Sequence, residues 1–241
     1  MYFAHHQGHY IRLALADDPA GPWRIHEPGV LRLDETPAVG HLASPDVIVD
    51  DSARTFRMYF HGPTQNESVQ RTFVATSSDG LTFTSSDKML GLPYFRVFRF
   101  DGVYYAIAKR GAEAGVLLRS DDGLGPFEEG PDLIPRMRHA ALYRDGDSLI
   151  VFYSRIGDTP ERLLRSVVQL KGPWTGWVAS PAEEVLQPEE RYEGIELPIL
   201  TSVGGAAEKP LHELRDPALL VEDHAQYLYY SVCLLYTSDA A

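Results

Sequence analysis

Charged and imidazole side chains recur at one kind of place in this sequence, the opening of a strand-like apolar run. His41, Ser44 and Asp46 lead into Val47-Ile48-Val49; Tyr94 and Arg96 lead into Val97-Phe98; Arg138 and His139 lead into Ala140-Ala141-Leu142; Arg215 and Asp216 lead into Leu219-Leu220-Val221. Places with no task would hold Val, Leu or Ser, because an ion or imidazole withdrawn from water without a partner is costly. Brought side by side, these openings would gather Asp, Arg and His into a ring, the make-up of a candidate ligand pocket. Two further carboxylates, Glu193 and Glu196, sit on 188–213, a stretch with no strand pattern. A loop of that length inside a compact fold is usually functional or disordered. Plainer readings stand beside these: Asp46 and Asp216 as caps of strands, and Glu193 as a solvated loop residue.

His5, His6 and His9 form a second cluster. A hairpin tip spreads such residues to opposite faces and no carboxylate completes a ligand spacing, so no metal is expected there. His5 and His6 are expected instead to hydrogen-bond sugar hydroxyls, with a polar turn as the alternative.

Short strands must position these residues. The stretch 41–88 reads as four of them. Val47, Ile48 and Val49 begin the first; Phe56, Met58 and Phe60 give the second one apolar face by period two. Phe73-Val74-Ala75-Thr76 make the third, and Ser78-Asp79-Gly80 turns the chain into a fourth at Phe83. Two corners of this unit recur. Strand, polar turn and closing aromatic appear at 10–23, 71–83, 115–127 and 162–174, ending in Trp23, Phe83, Phe127 and Trp174. Their spacing is roughly that of four-stranded blades. The hairpin of the first two strands recurs at 44–62, 94–110, 138–155 and 215–232, with Asp101-Gly102 and Asp145-Gly146 as turn signals. In-phase copies of two different corners predict an all-β fold. It is a five-bladed β-propeller of four-stranded antiparallel blades, one domain over 1–232, with blades at 1–33, 41–88, 93–131, 137–187 and 214–232. The first and last blades are expected to be partial, leaving an unpaired edge through which copies could associate. A β-sandwich with look-alike strands is the alternative.

Composition narrows the field. With 241 residues and 44% hydrophobic content the chain can bury a full core, and 17 Pro with 20 Gly suit a turn-rich fold. A net charge of −12 argues against nucleic acid or an anionic membrane surface as partner and is compatible with neutral polyols. No apolar run approaches the roughly 18 residues of a membrane span. The one cysteine, Cys233, excludes an internal disulfide framework and a cysteine metal cluster. No cofactor is expected. Residues 233–241 break the blade pattern and look like translated adapter read-through on a metagenomic gene fragment, and Met1-Tyr2-Phe3-Ala4 resembles a second strand with no first before it. The compartment is therefore not decided by the chain's beginning.

The blade repeat, together with three short motifs, resembles the five-bladed β-propeller glycoside hydrolases, the group of arabinanases, β-xylosidases, invertases and levansucrases. Ser44-Pro45-Asp46 is similar to the Ala-Pro-Asp that opens the second blade of arabinanase-type enzymes. Arg215-Asp216-Pro217 is similar to the Arg-Asp-Pro of the invertase type, and Tyr192-Glu193-Gly194 to the Glu-Gly of the arabinanase-type general acid. The chain departs from the pattern at Pro93-Tyr94-Phe95-Arg96, where those enzymes have Asp-Pro, and at Met137-Arg138-His139-Ala140, where they have Glu-Gly-Pro. A divergent branch is implied.

The resemblance implies glycoside hydrolysis on a plant- or algal-type glycan, which needs two carboxyl groups flanking the scissile bond. Glu193 is expected as the acid, its pKa raised by an apolar neighbour, with Asp216 as base and Asp46 as modulator or hydroxyl anchor. Arg96, Arg138 and Arg215 would orient these carboxylates or bind an acidic sugar, and His41, Tyr94 and His139 would line the site. A non-catalytic carbohydrate-binding propeller is the competing reading. The Trp-Asp and Gly-His signatures of interaction propellers do not recur. Ser77–Phe83 resembles the Asp-box turn of sialidase propellers, a surface staple that carries no activity.

Overall fold

The computed structural model describes residues 1–5, 7–51, 53–65, 67–205, 209–222 and 225–232. His6 and the 233–241 tail fall outside them, and the metagenomic origin expected from that tail finds no support. The fold is all-β. β1 (Tyr2–Phe3), β2 (Tyr10–Leu15) and β3 (Arg24–Arg32) make a first, three-stranded sheet. A four-stranded sheet follows from β4 (Ala43–Asp50), β5 (Thr55–Thr64), β6 (Glu67–Ser77) and β7 (Thr84–Ser85). The third sheet holds β8 (Arg96–Phe100), β9 (Val103–Arg110), β10 (Ala114–Ser120) and β11 (Glu128–Pro135). The fourth holds β12 (Met137–Asp145), β13 (Ser148–Arg155), β14 (Leu163–Gln169) and β15 (Glu183–Leu186). Sequence neighbours pair throughout, so each sheet is a meander.

These are four blades of a β-propeller, not the expected five. The reason lies at the end of the chain. β16 (Leu214–Glu222) and β17 (Ala225–Val232) form a two-stranded hairpin, and the described part of 187–213 holds a 3-10 turn and no strand to extend it. Its inner-strand pattern is that of a blade, but among the described residues it has two strands.

The chain divides into two compact units, one of 1–108 with 118–129 and the other of 109–117 with 130–241. In the first, β5 is buried on both faces, not only the one that its alternation shows. Met58 and Phe60 join Ile11, Leu13, Leu31, Leu42, Phe73 and Phe83 in one apolar cluster. Tyr59 points the other way, 6.3 Å from the Phe95 ring and 6.4 Å from Phe127. Apolar area removed from water on both sides, at about 25 cal/mol per Å², anchors this strand.

Two turns of this unit share one hydrogen-bond scheme. Ser77 Oγ donates to Asp79 Oδ1 (2.8 Å), and that carboxylate accepts the amides of Leu81 (2.8 Å) and Thr82 (3.0 Å). Ser120 and Asp122 repeat it, with the amides of Leu124 (2.8 Å) and Gly125 (3.0 Å). Each turn needs glycine at its left-handed residue: a Cβ on Gly80 would meet the Tyr2 hydroxyl at 2.8 Å, and one on Gly123 the Tyr59 hydroxyl at 2.8 Å. The amides of Leu81 and Thr82 hold Asp79 below the usual carboxylate range, and those of Leu124 and Gly125 do so for Asp122. A depressed native pKa gives stability that is present above the unfolded value and lost as pH falls through the native one. Asp79→Ala and Asp122→Ala should therefore lower Tm at neutral pH by an amount that shrinks as pH falls below the ordinary aspartate range. Ser77→Ala should cost about 1 kcal/mol, read by urea unfolding.

In the second unit, β16 lies against β12, β13 and β14. The described part of the 187–213 stretch is pinned to this unit at Ser202. Ser202 and the turn after β13 exchange backbone bonds, Gly157 N–H to Ser202 (2.9 Å) and Ser202 N–H to Asp158 (2.9 Å).

Candidate functional site

Three of the four strand openings picked out by charge share a backbone irregularity, while β8 pairs with β9 in unbroken register. In β4 the register passes from Ala43 opposite His61 to Asp46 opposite Tyr59. In β12 it passes from Met137 opposite Arg155 to Ala140 opposite Tyr153, and in β16 from Arg215 opposite Ser231 to Ala218 opposite Tyr229. Each of these three strands thus carries one extra residue, a β-bulge, at the same place relative to its partner. Bulges re-aim side chains and are frequent beside active sites. The backbone is left-handed at Ser44 (φ +46°) and Asp216 (φ +48°) within the bulges, and at Tyr94 (φ +64°) before β8. Such non-glycine residues persist where surrounding structure forces them, often at functional sites. The register also separates two carboxylates taken as equivalent: Asp216 occupies the place of Ser44, and Asp46 that of Ala218.

In the first unit, Asp46 Oδ2 accepts the Val97 amide at 2.7 Å, tying β4 to the start of β8. Burial pushes its carboxyl up, against the opposing pull of Arg96 and of that amide. The Arg96 guanidinium donates to the carbonyls of Ser44 (3.3 Å) and Phe95 (2.9 Å). The Tyr94 ring packs against the buried His61 ring at a 43° tilt, centroids 4.1 Å apart, and the Tyr94 amide donates to His61 Nδ1 (3.3 Å). His41 is half-buried, its amide held by the Val39 carbonyl at 2.9 Å. His5 is exposed, and its carbonyl accepts the Gly8 amide at 2.9 Å in a turn.

The second unit brings His139 and Asp216 together. His139 Nδ1 lies 2.5 Å from Asp216 Oδ1, and Ser231 Oγ donates to Asp216 Oδ2 at 2.6 Å. Asp216 keeps 53% of its side chain exposed. Desolvation would raise its pKa, but His139, Ser231 and Arg138 outweigh it and hold the carboxyl far below the usual range. Behind this pair is a buried charge cluster. Glu161, 0% exposed, accepts from Ser154 (2.7 Å) and from Ser202, and its Oε2 lies 3.0 Å from Arg215 Nε and 3.4 Å from Arg138. Arg215 also pairs with Glu213, and Arg138 donates to the carbonyls of Val203 (2.5 Å) and Gly205. Burial raises the Glu213 carboxyl, Arg215 opposing and Glu161 adding. Burial also lowers the Lys109 ammonium, to about 8, helped by Arg138 and opposed by Glu161 and Asp216.

These contacts bear on Arg138 and Arg215, expected to orient carboxylates or bind an acidic sugar. Both are buried, and their guanidinium groups are engaged by Glu161 and Glu213. The raised pKa expected of Glu193 is corrected, to a lowered one. The residue is buried at the end of a 3-10 turn, Arg191–Glu193, where its Oε2 accepts the amides of Glu189 (2.8 Å) and Glu190 (2.9 Å) and its Oε1 the Tyr230 hydroxyl. Desolvation pushes its pKa up, yet Tyr230 and the two amides win and leave it lowered, the reverse of what a general acid needs. Tyr230→Phe should remove about 1.5–3 kcal/mol of stability at neutral pH, as expected for a hydrogen bond to an ionised group. The loss should shrink as pH drops through the native Glu193 value, which urea unfolding at several pH values would show. Glu196 is an exposed partner of Arg191 at 3.5 Å. Among the described residues no group of three or more His, Cys, Asp or Glu is placed to hold a metal ion.

Glu161, Glu213, Lys109 and Ser231 were not legible as site residues. One signal did exist: His61, Arg155 and Ser231 each close an apolar second strand and sit opposite the residue before a bulge.

No protein-family model matches the chain. Over 96% of its length it is similar to the uncharacterized protein R118 of Acanthamoeba polyphaga mimivirus, at 34% identity over 261 residues, and it spans 72% of that protein. Solved structures share its fold. An endo-1,4-β-xylanase from Bacteroides thetaiotaomicron matches with TM-score 0.68 and 14% identity, covering 95% of this chain and 78% of that one. A GH43 β-xylosidase/α-arabinofuranosidase from a compost microbial metagenome, in complex with xylotriose, matches with TM-score 0.62 and 15% identity over 92% and 74%. An exo-1,5-α-L-arabinanase from a bovine ruminal metagenomic library matches with TM-score 0.62 and 11% identity over 95% and 82%. At these identities the likeness is one of fold, the β-propeller of the GH43 glycosidases. By its sequence, the chain belongs to the family of the mimivirus protein R118.

Proposed function

We propose that the protein is a glycoside hydrolase acting on an oligo- or polysaccharide of plant or algal type, with Asp216 as the ionised carboxylate of its proton-transfer machinery. The observation that supports this most is the contact of His139 with Asp216, 2.5 Å, at a bulged, left-handed strand opening on a fold that also carries xylosidases and arabinanases. Glycosidic cleavage passes through an oxocarbenium-like state and needs one carboxylate ionised beside it. His139, Ser231 and Arg138 keep Asp216 in that form. His139 is 15% exposed and can also hydrogen-bond a sugar hydroxyl. Asp46 belongs to the first unit and is tested on its own, as a carboxyl whose protonated form burial favours.

The test is a panel of xylan-, arabinan- and galactan-derived oligosaccharides assayed for reducing-end release with wild type, Asp216→Asn and Asp46→Asn. Turnover by wild type that Asp216→Asn loses supports the reading; full turnover in Asp216→Asn overturns it. The engagement of Glu193 by the Tyr230 hydroxyl and the Glu189 and Glu190 amides favours a second reading, a carbohydrate-binding propeller without catalysis. Calorimetric binding of a sugar that wild type never cleaves would decide for it.

A further inference from the structure

Resting on the role just given to Asp216, we propose that Glu161 is a positioning residue that locks two bulged strand openings together so that His139 and Asp216 meet. Arg138 directly precedes His139 in the bulge of β12, and Arg215 directly precedes Asp216 in the bulge of β16. A single carboxylate oxygen, Glu161 Oε2, takes both guanidinium groups, at 3.4 and 3.0 Å. The residue joins them from a third place in the chain, the turn between β13 and β14, and is itself wholly buried. Its other oxygen is held by Ser154 and the shared one also by Ser202, so the carboxylate cannot swing. A bulge leaves its extra residue outside the ladder, and backbone pairing alone does not fix where that residue points. Two bulges tethered through neighbouring arginines to one rigid acceptor have their side chains fixed relative to each other.

The same contacts extend to the 187–213 stretch. Ser202 bonds Glu161, while Arg138 donates to the Val203 and Gly205 carbonyls. The stretch therefore braces the clamp from outside the sheets. Glu161 carries no role in contact with substrate here; it acts through Arg138 and Arg215.

The test is the carboxyl titration of Asp216 by carbon NMR, assigned by its absence in Asp216→Asn, in wild type and Glu161→Gln. The groups that face Asp216 are His139, Ser231, Arg138 and Lys109. Two mechanisms give opposite signs. Removing a nearby negative charge makes ionisation of Asp216 easier and moves its midpoint down. Loosening the clamp separates Asp216 from His139 and moves the midpoint up, toward the ordinary aspartate value. An upward shift, with kcat lowered at least tenfold and KM changed less than threefold on any sugar that wild type cleaves, is the expected result. A downward shift or none overturns the proposal. If Glu161→Gln does not fold, Arg215→Lys, which keeps the charge and loses the fork, must show the same upward shift, and an unmoved midpoint there overturns it equally. An upward shift in a protein that cleaves no glycan would leave the clamp standing and remove the hydrolase reading alone.

Discussion

Asp216→Asn should lower turnover roughly 10²–10⁴-fold, the range for losing a positioned proton-transfer group, while sugar affinity stays within a fewfold. The substitution keeps size and keeps an acceptor for Ser231, which donates at 2.6 Å. It removes the charge that faces His139 Nδ1 at 2.5 Å, so the imidazole loses what orients it. An interaction used only in the transition state shows as equal falls in kcat and kcat/KM. A fall confined to KM would instead make Asp216 a hydroxyl anchor. The pH dependence gives a second reading of the same group. Because Asp216 is held well below the usual range, the acid limb of the wild-type rate profile should not follow an ordinary aspartate titration. In a Ser231→Ala variant the midpoint should rise, since one of the donors that favours the charged form is gone.

Much of the strand pattern was open to reading because period two is a local property. Phe56, Met58 and Phe60 alternate, and their strand is where the alternation places it. The blade count was not local. The 215–232 hairpin has the inner-strand signature of a blade, and only the pairing shows that β16 and β17 stand as a two-stranded sheet. The bulges were likewise hidden, since one extra residue leaves the apolar pattern on either side intact and shifts only the register between them.

The site divides the same way. His139 and Asp216 stood out because ionisable residues before apolar runs are conspicuous. What Arg138 and Arg215 do could not be inferred, because their partner Glu161 lies in a turn with no pattern of its own. Glu193 shows how a long-range contact reverses an argument from neighbours. Tyr192 beside it suggested a raised pKa, yet Tyr192 is exposed and Tyr230, from 37 residues away, supplies the bond that lowers it.

Arg138→Ala should destabilise the protein by about 3–5 kcal/mol, the cost of leaving a buried ion without its partner. Glu161 would retain Arg215, but the Val203 and Gly205 carbonyls would lose their donor at the same time. Against a total stability of about 5–15 kcal/mol for a typical domain, such a loss is close to unfolding. Arg165→Ala is the contrast. Arg165 pairs with Glu183 at 2.8 Å, a shorter distance than Arg138 to Glu161, but with side chains 42% and 63% exposed. Screening by water holds such a pair to about 0–1 kcal/mol. Urea unfolding of the two variants side by side therefore separates burial from distance as the source of stability. If the closer, exposed pair proved the costlier to break, the buried cluster would not be what holds β12 and β16 in place.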